Sequence, residues 1–423
     1  MKALLLAALL LISVACGQVQ GKPTSVVVSP TASPAAIVSS EPNPSPAAAG
    51  PSASPKVSPA ATPKTSPTLL FAVLEAKGTA NAWTYNTVAI AGLDGYASAK
   101  ATFAPMPLPD LGCIGAVIPE SAHVAAGKVF FADAKGVVRS LAINGAVTTV
   151  ATFPLSSSQQ MLSFAVSPDG SRLLGTVFTS PKNAYPCTGS PTSSTFTFDA
   201  YSATNGGPSH LVYHESWTKP QDVLALTGWD SVGPLGTYPT VWASQGGGPG
   251  STLGVKVRID ATTVRPGTVL SNPSSCMVWA SIQSGSFVCT KNVVMTNGGT
   301  ASQQVTVPVS VRRADGSELW HYTAIGVNGP SSPALAPDGQ RVLMCCAEAP
   351  LGGDLLFARD GTKSTLGAGF FAYGWLDSQT AIGELHTDPL QQPPLTLGYV
   401  GLTAPGTVVS LGFTGLFVGT VRL

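Results

Sequence analysis

His210 and His214 are the nearest approach to a metal-binding pair in this chain. At even spacing on one extended segment, two imidazoles share a face, as a two-histidine site would need. They stand in Ser-His-Leu-Val-Tyr-His-Glu, which reads as an outer strand, so the expectation is a solvated face and no metal. His123, His321 and His386 lie far apart in the sequence. A Gly-x-Ser-x-Gly elbow, a His-Glu-x-x-His pair, a P-loop and a dinucleotide-binding glycine fingerprint are all absent. The 21 acidic residues are spread over 423 positions, and no carboxylate pair stands out. The sequence predicts no catalytic residue, no metal and no cofactor.

Chemistry of another kind is written at the N-terminus. Met1-Lys2 leads into an apolar run over residues 3–12 and then Ser13-Val14-Ala15-Cys16. A charged start, a short apolar core and a small-residue cleavage site make an export signal too short to span a bilayer. Ala15-Cys16 resembles a bacterial lipobox. The resemblance implies a signal peptide over 1–15, cleavage after Ala15 and lipid on Cys16, with the rest of the chain anchored to the cell membrane or envelope and facing away from the cytoplasm. Six cysteines remain: Cys113, Cys187, Cys276, Cys289, Cys345 and Cys346. An even count in an exported chain favours disulfides. Cys276 and Cys289 flank a Gln283-Ser284-Gly285 turn, and a hairpin there brings them within bonding reach. Cys113 and Cys187 pair by elimination. Cys345-Cys346 then stays as a vicinal pair, as two thiols, or as two longer bridges.

Charged residues make up 10% of the chain and the net charge is +1, which excludes the basic footprint of a nucleic-acid binder. No second long apolar run follows the signal. Residues 16–68 are rich in Pro, Ser, Ala and Thr, with no aromatic before Phe71. Such a composition cannot bury enough apolar surface to offset ordering entropy, so a lipid-anchored disordered linker is expected. Its repeated Ser-Pro steps favour extended chain, up to roughly 150 Å at about 3.1 Å per residue.

From residue 69 onward, short runs of Val, Leu, Phe and Thr are broken by Gly, Asn, Asp and Pro, and no helical period persists. Tight-turn pairs recur between them at Asp94-Gly95, Asn144-Gly145, Asn205-Gly206, Asp315-Gly316, Asp360-Gly361 and Pro405-Gly406, with a weaker one at Ala261-Thr262. Their centres are 50, 61, 56, 54, 45 and 45 residues apart. A period near fifty is that of a four-stranded propeller blade. The predicted fold of 69–423 is all-β, a seven-bladed β-propeller of four-stranded blades. The first blade shows only three strand-like runs, and the surplus run 416–423 is expected to complete it, leaving no open edge.

Ala165-Val-Ser-Pro-Asp-Gly-Ser-Arg-Leu-Leu174 matches Ala334-Leu-Ala-Pro-Asp-Gly-Gln-Arg-Val-Leu343, and Gly228-Trp229 matches Gly374-Trp375. Here the chain resembles the bacterial TolB-type, WD-repeat-like propellers, which carry Ser-Pro-Asp-Gly between the first two strands of a blade. The chemistry of the motif is structural, with Pro fixing φ, Asp bonding local amides and Gly relieving strain. The tryptophans read as wedges between blades.

The longest connections, at 179–195, 244–253, 295–305, 347–354 and 385–395, fall between second and third strands. Long loops on a rigid scaffold are where recognition concentrates. The residues in them able to stack, accept or coordinate are Tyr185, Glu348, Asp354, His386 and Asp388. The functional expectation is a non-catalytic binding or scaffolding propeller. Its partners would be the membrane, through the lipid, and an envelope protein or polysaccharide, with no nucleic acid. The alternative is a secreted enzyme acting on carbohydrate or peptide in the central pocket.

Overall fold

Asx-Gly turns organise the chain. In the computed structural model Gly95, Gly145, Gly206, Gly316, Gly361 and Gly406 all take positive φ, between 77° and 88°. Each closes a hairpin at a position where the sequence places a tight turn. The side chains of Asp94, Asn144, Asp315 and Asp360 accept the amide two residues on, at 2.8–3.1 Å. The structure describes residues 69–79, 82–112, 121–184, 186, 188, 195–218, 224–231, 233–239, 254–259, 266–269, 277–283, 286–290, 294–295, 304–313, 315–327, 331–345, 355–386 and 395–422. Ala261-Thr262 lies outside them.

The described residues form strands and no helix. β1–β3 are Leu70–Thr79, Ala82–Gly92 and Ala97–Thr102; β4–β7 are Ala122–Ala125, Lys128–Ala132, Val137–Leu141 and Val147–Thr152. β8–β11 follow at Gln160–Val166, Arg172–Thr179, Phe196–Thr204 and Ser209–Trp217, and β12–β15 at Ala225–Trp229, Pro234–Pro239, Gly254–Ile259 and Pro266–Val269. β16–β20 are Met277–Gln283, Ser286–Thr290, Val294–Met295, Gln304–Arg313 and Glu318–Val327. β21–β24 are Ser331–Leu335, Arg341–Cys345, Leu355–Ala358 and Lys363–Thr365. β25–β28 are Phe370–Asp377, Thr380–Leu385, Thr396–Gly401 and Val408–Val421.

Pairing is antiparallel and sequential within each group: β4-β5-β6-β7, β8-β9-β10-β11, β12-β13-β14-β15, β16-β17-β19-β20 with β18 also on β19, and β21-β22-β23-β24. The remaining sheet has the order β25-β26-β27-β28-β1-β2-β3. Its centre is β28. The first part of that strand pairs with β27, Tyr399 opposite Val409, and the last part pairs with β1, from Glu75 opposite Gly415 to Leu70 opposite Val421. The C-terminal run therefore completes the sheet of the N-terminal strands, as its sequence suggested. The crossing depends on Gly415, whose φ is 151°. A Cβ there would run into the Leu74 carbonyl, so β28 approaches β1 only because the side chain is missing.

Burial falls across the third group from its first strand to its fourth. β8 is buried over 161–166, whereas β11 has no buried residue. The cores lie between sheets rather than inside one. Phe130, Phe153, Phe164 and Val177 fill the space between the second and third groups, and Phe71, Val73, Ile382 and Phe413 that between the last and the first. Strands that meander outward, with apolar faces packed against the sheets before and after, make a β-propeller.

The Pro-Asp-Gly motifs are turns between the first and second strands. Asp169 accepts from the Ser171 amide at 3.1 Å and the Ser167 hydroxyl at 2.5 Å, and Asp338 accepts from the Gln340 amide at 2.9 Å. The serine bonds hold the Asp169 carboxyl down at about 2, so it stays ionised and has no proton to give as a general acid. Trp375 is buried between the last two groups and donates Nε1–H to the Ala334 carbonyl at 3.0 Å. Trp229 packs between the third and fourth, with Arg172 over its ring at 5.2 Å. Both tryptophans bridge neighbouring sheets.

The cysteine hairpin forms in a shifted register. Two register shifts along β16 set Cys289 opposite Val278, two positions along the sequence from Cys276. Cys289 is buried and disulfide-bonded. Cys276 lies outside the described residues, as do Cys16, Cys113, Cys187 and Cys346.

Candidate functional site

The nominated connections do join second to third strands, since β9–β10, β13–β14, β17–β19, β22–β23 and β26–β27 are each such a step. Of the five residues nominated in them, Tyr185, Glu348, Asp354 and Asp388 lie outside the described residues. His386 is described. It follows β26 directly, and its amide donates to the Gly369 carbonyl at 2.7 Å.

His386 is not alone. Its Nε2 is 3.5 Å from Oε2 of Glu384, and its ring meets Phe371 edge to face, centroids 4.4 Å apart. Phe371 is the register partner of Glu384 across β25 and β26. Tyr373 sits in the bulge between Ala372 and Gly374 of β25. A bulge re-aims a side chain, and here the Tyr373 hydroxyl donates to Glu384. Gly383 permits the bulge, because a Cβ there would strike the Phe371 carbonyl. Tyr85, from β2 of the first group, senses the same carboxylate.

The electrostatics follow from burial. Loss of water, and then the Glu384 charge, push both the Tyr85 and Tyr373 phenols up, so each keeps its proton. The Glu384 side chain is 12% exposed and that of His386 22%, while Tyr373 is 40% exposed over the whole residue. Tyr373 thus shows ring surface to water while its hydroxyl turns inward to the carboxylate. Two phenols, an imidazole and a benzyl ring surround one carboxylate. Such a site can accept hydrogen bonds, stack and attract a cation. Among the described residues, no three His, Cys, Asp or Glu side chains converge as metal ligands.

Sequence reasoning reached His386 but missed Tyr85, Tyr373 and Glu384. Glu384 carried a readable signal as the one charge in Thr-Ala-Ile-Gly-Glu-Leu. Tyr85 carried none, since only closure of the ring brings it near. The histidine pair lies on an exposed strand: His214 Nδ1 is 2.6 Å from Asp199 Oδ1 on the neighbouring strand, and His210 is exposed.

No protein-family model and no curated protein matches the sequence. Solved structures similar to the chain include an oligogalacturonate lyase in complex with manganese, at 9% identity and TM-score 0.42, over 66% of this chain and 76% of that one. The Dos1 propeller is similar at 11% identity and TM-score 0.42, over 82% and 83%. A putative TolB from Agrobacterium tumefaciens is similar at 12% identity and TM-score 0.30, over 71% and 83%. The propeller architecture rests on the chain's own strand pairing and not on these likenesses.

Proposed function

We propose that this protein is an exported lipoprotein whose propeller is a non-catalytic binding or scaffolding module, with recognition on the face of the second-to-third-strand connections. The observation that carries the reading is the Tyr373–Glu384–His386 group at that end of the strands. An exposed aromatic ring beside a half-buried carboxylate suits recognition. Among the described residues the group holds one carboxylate, Glu384, with phenol and imidazole groups around it. Cys16 supplies the membrane anchor and residues 18–68 the spacer, and the partner is a component of the envelope.

The test is retention of envelope material by the mature protein. Alanine at Tyr373 and Glu384 is expected to reduce retention at least tenfold, while alanine at Asp94, Asn144 and Asp360, on the hairpin tips of the opposite face, leaves it unchanged. Loss from the tip variant alone, with both proteins folded, refutes the choice of face. In the cell, Cys16→Ser moves the protein to the soluble fraction if the anchor is lipid.

The ring is proposed to have seven blades. Seven turn sites support this count, and so does the seven-stranded sheet, which divides at β28 into two four-stranded blades sharing one strand.

A Cys113–Cys187 disulfide is proposed on the placement of its flanks. The connection after β3 leaves the first group and buries Leu111 in the same core as Ala184, between the third and fourth groups. The Asn183 amide donates to the Asp110 carbonyl at 2.9 Å, and Lys182 Nζ lies 3.8 Å from Asp110. Cys113 is two residues past Leu111, and Cys187 three past Ala184, spans that a few ångströms per residue cover easily. Non-reducing peptide mapping is expected to recover 113 linked to 187. Recovery of either cysteine with another partner excludes the bond.

A further inference from the structure

We infer that the Tyr373–Glu384–His386 site takes an organic ammonium group, a protonated or quaternary amine. This rests on the binding face proposed above and adds the chemistry of its ligand. Glu384 is largely withdrawn from water, yet among the described residues no lysine or arginine pairs with it; its partners are the Tyr373 hydroxyl and, at 3.5 Å, His386 Nε2. A carboxylate in that setting gains more from an arriving cation than a water-exposed one does, because the local dielectric is lower. The surfaces around it are aromatic. Tyr373 shows its ring to solvent, and Phe371 stands opposite Glu384 against His386. The π-face of such a ring attracts a cation.

A hard metal ion fits less well, since it demands several oxygen ligands and, among the described residues, the site offers one carboxylate beside phenols, an imidazole and carbon. An alkylammonium needs one anionic partner and rings for its methyl or methylene groups, which the site has. The bulge in β25 holds the pieces together by turning the Tyr373 hydroxyl to the carboxylate and leaving the ring outside.

The probe is choline, compared by titration calorimetry with its uncharged isostere in which carbon replaces the quaternary nitrogen. The mature protein is expected to bind choline at least tenfold more tightly than the isostere. Glu384→Gln is expected to weaken choline at least tenfold, and Tyr373→Phe, which keeps the ring, far less than Tyr373→Ala. Equal binding of choline and isostere, choline binding unaffected by Glu384→Gln in a folded protein, or no choline binding at all overturns the inference. If envelope retention is lost in the Tyr373 and Glu384 variants while choline does not bind, the face stands and the ammonium assignment alone fails.

Discussion

Deletion of residues 416–423 is expected to lower the thermal midpoint by roughly 10 °C or more, whereas deletion of 18–68 leaves it unchanged. The shorter deletion removes the part of β28 that pairs with β1 from Leu70 to Leu74 and takes Val421 out of the core between the first two groups. It also breaks the covalent bridge from the last group into the first, exposing the edge of β1. At roughly 2.1 cal/mol/K of unfolding entropy per residue, a shift of this size in a domain of about 350 residues corresponds to a loss of about 7 kcal/mol. Gly415→Ala tests the same joint with one methyl group. The φ of 151° and the Leu74 carbonyl in its path forbid the side chain in place, so the strand must leave β1 or β1 must move. Scanning calorimetry reads both variants. Equal midpoints for the two deletions would show that the closure contributes nothing to stability.

The second large effect is acid sensitivity centred on His123. This residue lies on β4 with its ring edge-on to Phe164 of the neighbouring sheet, centroids 4.8 Å apart. Burial pulls its pKa down to about 4, against a smaller upward pull from a hydrogen bond to the Phe164 backbone. The folded protein therefore refuses a proton that the unfolded chain accepts near pH 6.5. Where the unfolded state binds more protons, stability rises with pH. The stability His123 contributes is thus intact above about pH 6.5, declines as pH falls towards 4, and is fully lost below that. The total is about 3 kcal/mol, at 1.36 kcal/mol per pK unit. Denaturant unfolding at a series of pH values checks it. His123→Gln, which cannot take up the proton, is expected to flatten the profile between about pH 6.5 and 4 relative to the parent. Parallel profiles for the two proteins would remove His123 as the cause.

The sequence by itself determined the repeating unit. The five Asx-Gly turns and the Pro405-Gly406 turn demand positive φ at their glycines, a local requirement, and all six glycines meet it. The Pro-Asp-Gly motifs are equally local, and Asp169 and Asp338 cap their own turns as the residue types imply. The surplus run at 416–423 could be matched to the missing strand because edge closure is a counting argument over strands.

The site was decided elsewhere. His386 was legible as a polar residue in a long connection, but its meaning depends on Glu384, on a bulge that turns Tyr373, and on Tyr85 from the opposite end of the chain. Bulges leave no fixed mark in a sequence, as the shifted pairing of Cys289 with Val278 also shows. Contacts between groups depend on how whole sheets pack, which no local residue pattern encodes. The turns are fixed by torsional preference within a few residues, and the site by a ring that has to close before its parts meet.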